Sequence, residues 1–208
     1  MARILHLDSS ARTEGSFSRQ LSREFVETWL KLNPQDTVTY RDLGTTPLPF
    51  VDQHWLKAVF APSTPPAAQE QSALTVSDLL IDELEAADVL VFGVPIYNFS
   101  VPASFKAYLD QVIRMGRTTR FTSAGPEGLL KGKQAYIITA SGSDFSQDPW
   151  KSLDHHTPLI KTTLGFMGIT DVTFIKQHGY TPESQQANLQ EARKHIETLT
   201  RTGEPTGV

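Results

Sequence analysis

The 208-residue sequence contains no cysteine. Disulfide bonds, thiolate metal sites and thiol redox chemistry are therefore excluded together, and any redox activity must use a bound cofactor. Apolar runs long enough to span a bilayer are also missing, and Met1-Ala2-Arg3 leads into an apolar stretch rather than a signal peptide. We therefore expect a cytoplasmic protein with no membrane partner.

Basic clusters are absent too. Lysine and arginine total 19 against 23 aspartates and glutamates, which gives a formal net charge of −4 at pH 7. Without a basic stripe, neither nucleic acid nor an anionic membrane surface is expected as a partner. The six histidines follow no common metal-ligand spacing, so no metal ion is expected.

Glycine-rich nucleotide motifs are missing as well. The loop after the first apolar stretch contains only Gly15, whereas the dinucleotide fingerprint needs G-x-G-x-x-G. A P-loop needs G-x-x-x-x-G-K-[ST], but Gly132-Lys133 is followed by Gln134, and Glu127 stands where the first glycine belongs. Dinucleotide and triphosphate sites of these two kinds are therefore excluded.

Short apolar stretches alternate along the sequence with longer segments whose apolar residues have the spacing of a helix. This pattern predicts strands near residues 4–7, 37–43, 89–94, 135–139 and 172–175, with helices between them. Such alternation favours an α/β fold with a doubly wound, five-stranded parallel sheet and helices on both faces. We predict the strand order 2-1-3-4-5, one domain over residues 1–201, and a frayed tail over residues 202–208.

In that strand order, ligands bind between the first and third strands, where the order reverses. The loop after the first strand, residues 9–18, holds four serines and one threonine directly before a helix. Hydroxyls and free helical N–H groups together suit a phosphate, although Ser16 or Ser18 could simply cap the helix. Asp8, which precedes this loop, is expected to be a structural hydrogen-bond acceptor.

The third strand ends in Pro95-Ile96-Tyr97-Asn98-Phe99, where a receiver domain would need an aspartate. This aromatic turn suits a flat ring, although Tyr97 and Phe99 could equally be core aromatics beneath the turn. The two loops together suit a ligand with one phosphate and a large planar ring, and FMN is such a ligand. The end of the fourth strand, Ala140-Ser141-Gly142-Ser143, would border the polar edge of that ring.

Three stretches resemble the FMN-dependent NADH-azoreductases, which belong to the flavodoxin-like NAD(P)H:quinone oxidoreductases. They are the serine loop within residues 7–18, the turn within residues 95–102, and Leu164-Gly165-Phe166-Met167-Gly168-Ile169. The likeness extends from the first strand to about Gly179. It implies a flavodoxin-like fold for the whole domain.

The resemblance also implies roles for individual residues. The phosphate loop matches at Ser10, Ser16, Phe17 and Ser18, and the ring-binding turn at Pro95, Ile96, Tyr97, Asn98 and Phe99. A third FMN segment matches at Ala140, Ser141, Gly142 and Ser143, and pocket aromatics at Phe121 and Phe166. The third segment departs from the usual S-R-G-G-type sequence and carries a longer insert through Trp150, which leaves its contacts and the choice of substrate open.

The activity that the resemblance implies is two-electron reduction of quinones and azo compounds by NADH or NADPH, in a homodimer with FMN at each subunit interface. Hydride would pass through flavin N5 in a ping-pong cycle, and no side chain is singled out as catalytic. A flavodoxin-like FMN electron carrier or regulatory module, without NAD(P)H turnover, is the alternative. The natural acceptor and the choice between NADH and NADPH stay open.

Overall fold

The computed structural model describes residues 1–61, 64 and 67–202. Its strands are β1 (Arg3–Asp8), β2 (Thr37–Asp42), β3 (Val89–Gly93), β4 (Thr119–Thr122), β5 (Gly125–Gly128), β6 (Gln134–Ser141) and β7 (Asp171–His178). Its helices are α1 (Phe17–Leu32), α2 (Gln53–Phe60), α3 (Ala68–Ala86), α4 (Ala103–Val112), α5 (Thr157–Phe166) and α6 (Pro182–Thr202). Five strands form a parallel sheet in the order β2-β1-β3-β6-β7, which confirms the predicted fold class.

The position of each strand in the sheet follows from its polarity. All five residues of β3 are buried, and β3 lies at the centre between β1 and β6. Strands covered by helices on both faces read as continuous apolar runs, as Val89–Gly93 does. β2 is polar and largely exposed, and it lies at one edge as its composition predicts. The hydrophobicity of the strands alone therefore predicts which strand lies at the centre of the sheet and which lies at one edge.

Alternate side chains of the strands point into two separate cores, one on each face of the sheet. On one face, the core joins the strands to α3, α4 and α5, with Leu5, Leu7, Leu90, Phe92, Leu80, Phe105 and Leu164 among its buried members. On the other, it joins them to α1 and α6, with Ile4, Val91, Tyr136, Ile138, Phe25 and Ile196. The two cores hold the loops at the carboxyl ends of the strands on a rigid base.

Two smaller features complete the fold. β4 and β5 pair as an antiparallel hairpin outside the main sheet. The last helix extends to Thr202, and residues 203–208 of the predicted tail lie outside the described residues. The domain boundary at residue 201 stays a prediction. Within the part of the chain that is described, no helix is long and apolar enough to cross a membrane.

A buried pair of titratable side chains lies on β1. Asp8 accepts hydrogen bonds from Ser22 Oγ at 2.8 Å and Tyr40 Oη at 3.1 Å, so it is the structural acceptor that the sequence predicted. Burial raises the pKa of Asp8 to about 6. His6 Nε2 lies 3.6 Å from Asp8 Oδ2, and burial, with the positive charges of Arg23 and Arg19, lowers the pKa of His6 to about 4.

These shifts predict how His6→Gln changes the response of the protein to acid. Folding lowers the pKa of His6 from 6.5 to about 4, so the unfolded chain takes up a proton at a higher pH than the folded protein does. The free energy of unfolding therefore falls as the pH is lowered from about 6.5 towards 4. Relative to the parent, the variant should therefore gain roughly 2.5 kcal/mol in free energy of unfolding between neutral pH and about pH 4.5.

Urea denaturation of both proteins at the two pH values measures this difference, and any constant effect of the substitution cancels. His54→Gln, at an exposed position of α2, is the matched control. A difference between parent and His6→Gln that does not change with pH would contradict a neutral, buried His6.

Candidate functional site

A crevice of about 320 Å³ opens at the carboxyl ends of the parallel strands. It is bordered by the loops that follow β1, β3, β6 and β7 and by the start of α6. Its lining residues are Ser10, Arg12, Gly15, Ser16, Phe17, Pro95, Ile96, Tyr97, Ala140, Ser141, Gly142, Gln177, Gly179, Tyr180 and Gln185. The crevice therefore includes the point between β1 and β3 where the strand order reverses.

A cluster of three serine hydroxyls forms one end of the crevice. Ser16 Oγ donates to Ser10 Oγ at 3.0 Å and lies 3.2 Å from Ser18 Oγ. Ser16 is also the N-cap of α1, where its hydroxyl accepts from the Arg19 backbone N–H at 3.5 Å. The capping role that the sequence left open is therefore present, together with a convergence of hydroxyls that capping alone does not need.

Tyr97 connects this serine cluster to the turn after β3. Its hydroxyl lies 3.2 Å from Ser10 Oγ and accepts from the backbone N–H of Ala11 at 3.3 Å. The side chain is half-buried and lines the crevice, so Tyr97 is a wall of the site rather than a core aromatic beneath the turn. The two loops are neighbours, as their places after adjacent strands predicted.

The turn itself has an unusual backbone. Tyr97 and Ser100 exchange two backbone hydrogen bonds, of 2.9 and 3.1 Å, around a two-residue loop. Both loop residues have positive φ, 47° at Asn98 and 72° at Phe99, which is the pattern of a type I′ turn. Non-glycine residues in this region cost on the order of 1–3 kcal/mol each, and such strain concentrates at functional sites.

The segment after β6 closes the crevice opposite the serines. Ala140 O accepts from Ile96 N at 2.9 Å, which joins this segment to the aromatic turn. Ser143 Oγ and Tyr180 Oη lie 2.8 Å apart, and the Tyr180 ring lies over Gly142. A Cβ added at Gly142 would come within 2.6 Å of that ring, so a larger residue there would displace the exposed Tyr180 side chain.

The insert that follows this segment packs against the aromatic turn. The Phe145 ring lies 6.3 Å from Phe99 and 6.1 Å from Trp150, measured between ring centroids. The backbone N–H of His155 donates to Phe99 O at 3.0 Å, and the His156 ring contacts Val94 O at 3.0 Å. The insert, through Phe145 and Trp150, thus supplies an aromatic support for the strained turn.

Most of the residues predicted from the sequence meet at the crevice, but some do not line it. Ser18 is buried behind Ser16, and Ser143 is buried beneath Tyr180. Asn98 and Phe99 are exposed on the turn. Phe121 on β4 is 67% exposed and Phe166 at the end of α5 is 37% exposed. Neither lines the crevice of this chain, and their pocket role stays a prediction.

The structure adds lining residues that sequence reasoning missed, chiefly Gln177, Gly179 and Tyr180 at the end of β7, with Arg12 and Gln185 nearby. Gln177 is buried, and its amide nitrogen has no hydrogen-bond partner among the residues that the structure describes. A signal was available, because β7 ends at the same edge of the sheet as the other strands. The aromatic Tyr180 directly after Gly179 was therefore a candidate.

The groups present fit the phosphate and ring of FMN. The N–H groups of Phe17 and Ser18 precede the first intrahelical bond, from Gln20 N to Ser16 O, so they are free to point at an anion beside the serine hydroxyls. Ile96 and Tyr97 add apolar surface on the other side of the crevice. Metal chemistry has no comparable support, because the described residues contain no group of three histidine or carboxylate side chains arranged to hold an ion.

Known proteins are similar to this chain in both sequence and fold. A family model described as flavodoxin-like fold matches residues 2–199. An FMN-dependent NADH:quinone oxidoreductase of Nostoc punctiforme is 46% identical over 199 residues, which cover 95% of this chain and 97% of that protein. FMN-dependent NADH:quinone oxidoreductase 3 of Pseudomonas aeruginosa is 42% identical over 204 residues, covering 97% and 94%.

Solved structures of azoreductases have a similar fold. The crystal structure of an azoreductase from Bacillus anthracis superposes with a TM-score of 0.85 at 27% identity, over 95% of this chain and 100% of that one. A B. anthracis FMN-dependent NADH-azoreductase in complex with FMN superposes equally well, at 0.85, over 96% of this chain and 100% of that one; at 23% identity, this likeness concerns the fold alone.

Proposed function

This chain belongs to the flavodoxin-like family of FMN-dependent NADH:quinone oxidoreductases, and from that premise we propose that it binds FMN in the crevice and reduces quinones and azo compounds with NADH. The observation that carries the proposal is the link between Tyr97 and the serine cluster. It joins a site suited to one phosphate and a site suited to a flat ring within a single crevice.

The residues would divide the work of binding. The hydroxyls of Ser10 and Ser16, with the first N–H groups of α1, would donate to the phosphate oxygens, and the buried hydroxyl of Ser18, 3.2 Å from Ser16 Oγ, would help to orient Ser16. Hydrogen bonds to a charged group contribute about 1.5–3 kcal/mol each. Ile96 and Tyr97 of the aromatic turn and the segment at Ala140–Gly142 would flank the ring with apolar surface and backbone groups. Their mutual hydrogen bond, from Ile96 N to Ala140 O, sets the width of the opening between them.

FMN, when bound, would supply the two-electron redox chemistry, with hydride transfer through its N5. The protein needs to hold the ring, keep one face open and let donor and acceptor occupy that face in turn. No side chain of the crevice is proposed as a general acid. A shared face requires a ping-pong cycle.

The same proposal includes a cytoplasmic homodimer. Phe50, Phe60 and Phe121 are each at least 67% exposed, and such large apolar side chains are suited to burial against a second copy of the chain. A cytoplasmic location is consistent with the use of NADH as electron donor. Completion of the crevice by a partner subunit would give Phe121 the pocket role predicted from the sequence.

Substitution Ser16→Asp tests the phosphate end of the site. Aspartate is a good N-cap, so α1 should form as before. The phosphate would lose a hydrogen bond and meet a like charge, and loss of the bond alone weakens FMN binding about ten- to a hundred-fold. FMN titration of the apo protein, followed by quenching of flavin fluorescence, measures the affinity.

The matched control is Ser72→Asp, which adds the same charge at an exposed position near the start of α3. It should bind FMN within a few-fold of the parent. Circular dichroism of the apo variants checks the fold, and Ser16→Ala replaces Ser16→Asp if the latter is unfolded. Unchanged affinity in the Ser16 variants would mean that Ser16 only caps α1.

Steady-state kinetics tests the shared ring face. Double-reciprocal plots of rate against NADH at several fixed menadione concentrations should be parallel lines. Intersecting lines would show that both substrates bind together, against a ping-pong cycle. Bound FMN without any NADH oxidation would instead favour the electron-carrier alternative.

A further inference from the structure

Arg19, in the first turn of α1, is buried beneath the serine cluster and is 7% exposed. Its guanidinium donates twice to the backbone carbonyl of Ser10, from Nη2 at 2.6 Å and from Nε at 3.2 Å. It also binds Asp42 at the end of β2, through Nη2 to Oδ1 at 2.6 Å and Nη1 to Oδ2 at 2.7 Å. Arg19 therefore ties α1, the serine loop and the edge strand together at one point.

The donors of this guanidinium are fully used. A guanidinium has five N–H groups. Two donate to Ser10 O, two to the Asp42 carboxylate, and one contacts Tyr40 Oη at 3.4 Å. Burial alone would raise the pKa of Asp42, but the hydrogen bonds and charge of Arg19, together with hydrogen bonds from Thr45 and Gly44, hold the pKa of that carboxyl below its usual value. No N–H group is left to contact a ligand in the crevice.

Ser10 is the residue that this arrangement fixes, and Ser10 is the hub of the serine cluster. Its Oγ accepts from Ser16 Oγ at 3.0 Å and from the Arg12 backbone N–H at 3.2 Å, and it lies 3.2 Å from Tyr97 Oη. Gly44 packs directly against the Ser10 carbonyl, and a Cβ at Gly44 would overlap Ser10 O. A shift of the Ser10 backbone would therefore displace every hydroxyl at the phosphate end.

We propose that Arg19 is a positioning residue for the phosphate of FMN, acting through the Ser10 carbonyl and not by contact with the ligand. This inference rests on the proposed function. It differs in two ways from a role in which the positive charge of Arg19 simply attracts the phosphate. The fork geometry of Arg19 matters as well as its charge, and the effect is confined to the phosphate end of the ligand.

Comparison of FMN with riboflavin, which lacks the phosphate, separates these effects. Arg19→Lys keeps the charge but loses the planar fork, whereas Arg19→Gln loses both. Both variants should weaken FMN binding by on the order of ten- to a hundred-fold, the equivalent of one or two charged hydrogen bonds at the phosphate. Riboflavin affinity should change less than threefold, because Arg19 itself contacts neither of the ring-binding segments.

Arg193 supplies the matched control. It forms a bidentate ion pair with Glu24 on the same helix α1, at 2.7 and 2.8 Å, but it does not line the crevice. Arg193→Lys and Arg193→Gln should leave both affinities within threefold of the parent. Fluorescence titration of the apo proteins gives all the dissociation constants, and circular dichroism checks that each variant is folded.

Three outcomes would overturn the inference. Parental FMN affinity in Arg19→Lys would show that charge is sufficient. Equal weakening of FMN and riboflavin would show a general structural role. If both Arg19 variants are unfolded, Asp42→Asn decides, since it keeps Arg19 but removes half of its ion pair; it should weaken FMN selectively, and an unchanged ratio of the two affinities would contradict the proposal. A parent protein that fails to bind FMN would instead reject the proposed function itself.

Discussion

The close approach of β1 and β3 at their carboxyl ends is the constraint on which the rest of the site depends. Ser9 N donates to Gly93 O at 3.0 Å, and a Cβ at Gly93 would overlap the Asp8 side chain. Glycine is therefore required at the end of β3. The serine loop and the aromatic turn leave the sheet from these two adjacent strand ends, and the crevice forms between them because the helices that follow, α1 and α4, pack on opposite faces.

The site is held in place at some cost to the stability of the chain. Two consecutive residues of the aromatic turn have positive φ, and a carboxyl and an imidazole are buried beside each other on β1. Specific contacts offset these costs: Tyr97 bonds to Ser10, the His155 N–H bonds to Phe99 O, and Arg19 links Ser10 to Asp42. A preorganised site of this kind spends less of its binding energy on ordering loops when the ligand arrives.

Local patterns in the sequence predicted the features that depend on neighbouring residues. The apolar run of β3 indicated its central position, and the hydroxyl-rich loop before α1 indicated the serine cluster, whose binding of an anion stays a prediction. Features that depend on distant residues escaped prediction. The bond between Arg19 and Asp42 requires the register that places Asp8 opposite Asp42, and the cover of Gly142 by Tyr180 requires β6 and β7 to end side by side. The positive φ of Phe99 escaped because bulky residues rarely adopt it.

The central claim is that the crevice between the serine cluster and the aromatic turn holds FMN. The most direct measurement is the visible absorption spectrum of the purified protein, followed by release of the chromophore and its identification by mass spectrometry. The structure predicts a yellow protein that releases FMN. A protein that stays colourless after incubation with FMN would contradict the claim, and release of FAD alone would leave the fold intact but reject a site built for a single phosphate.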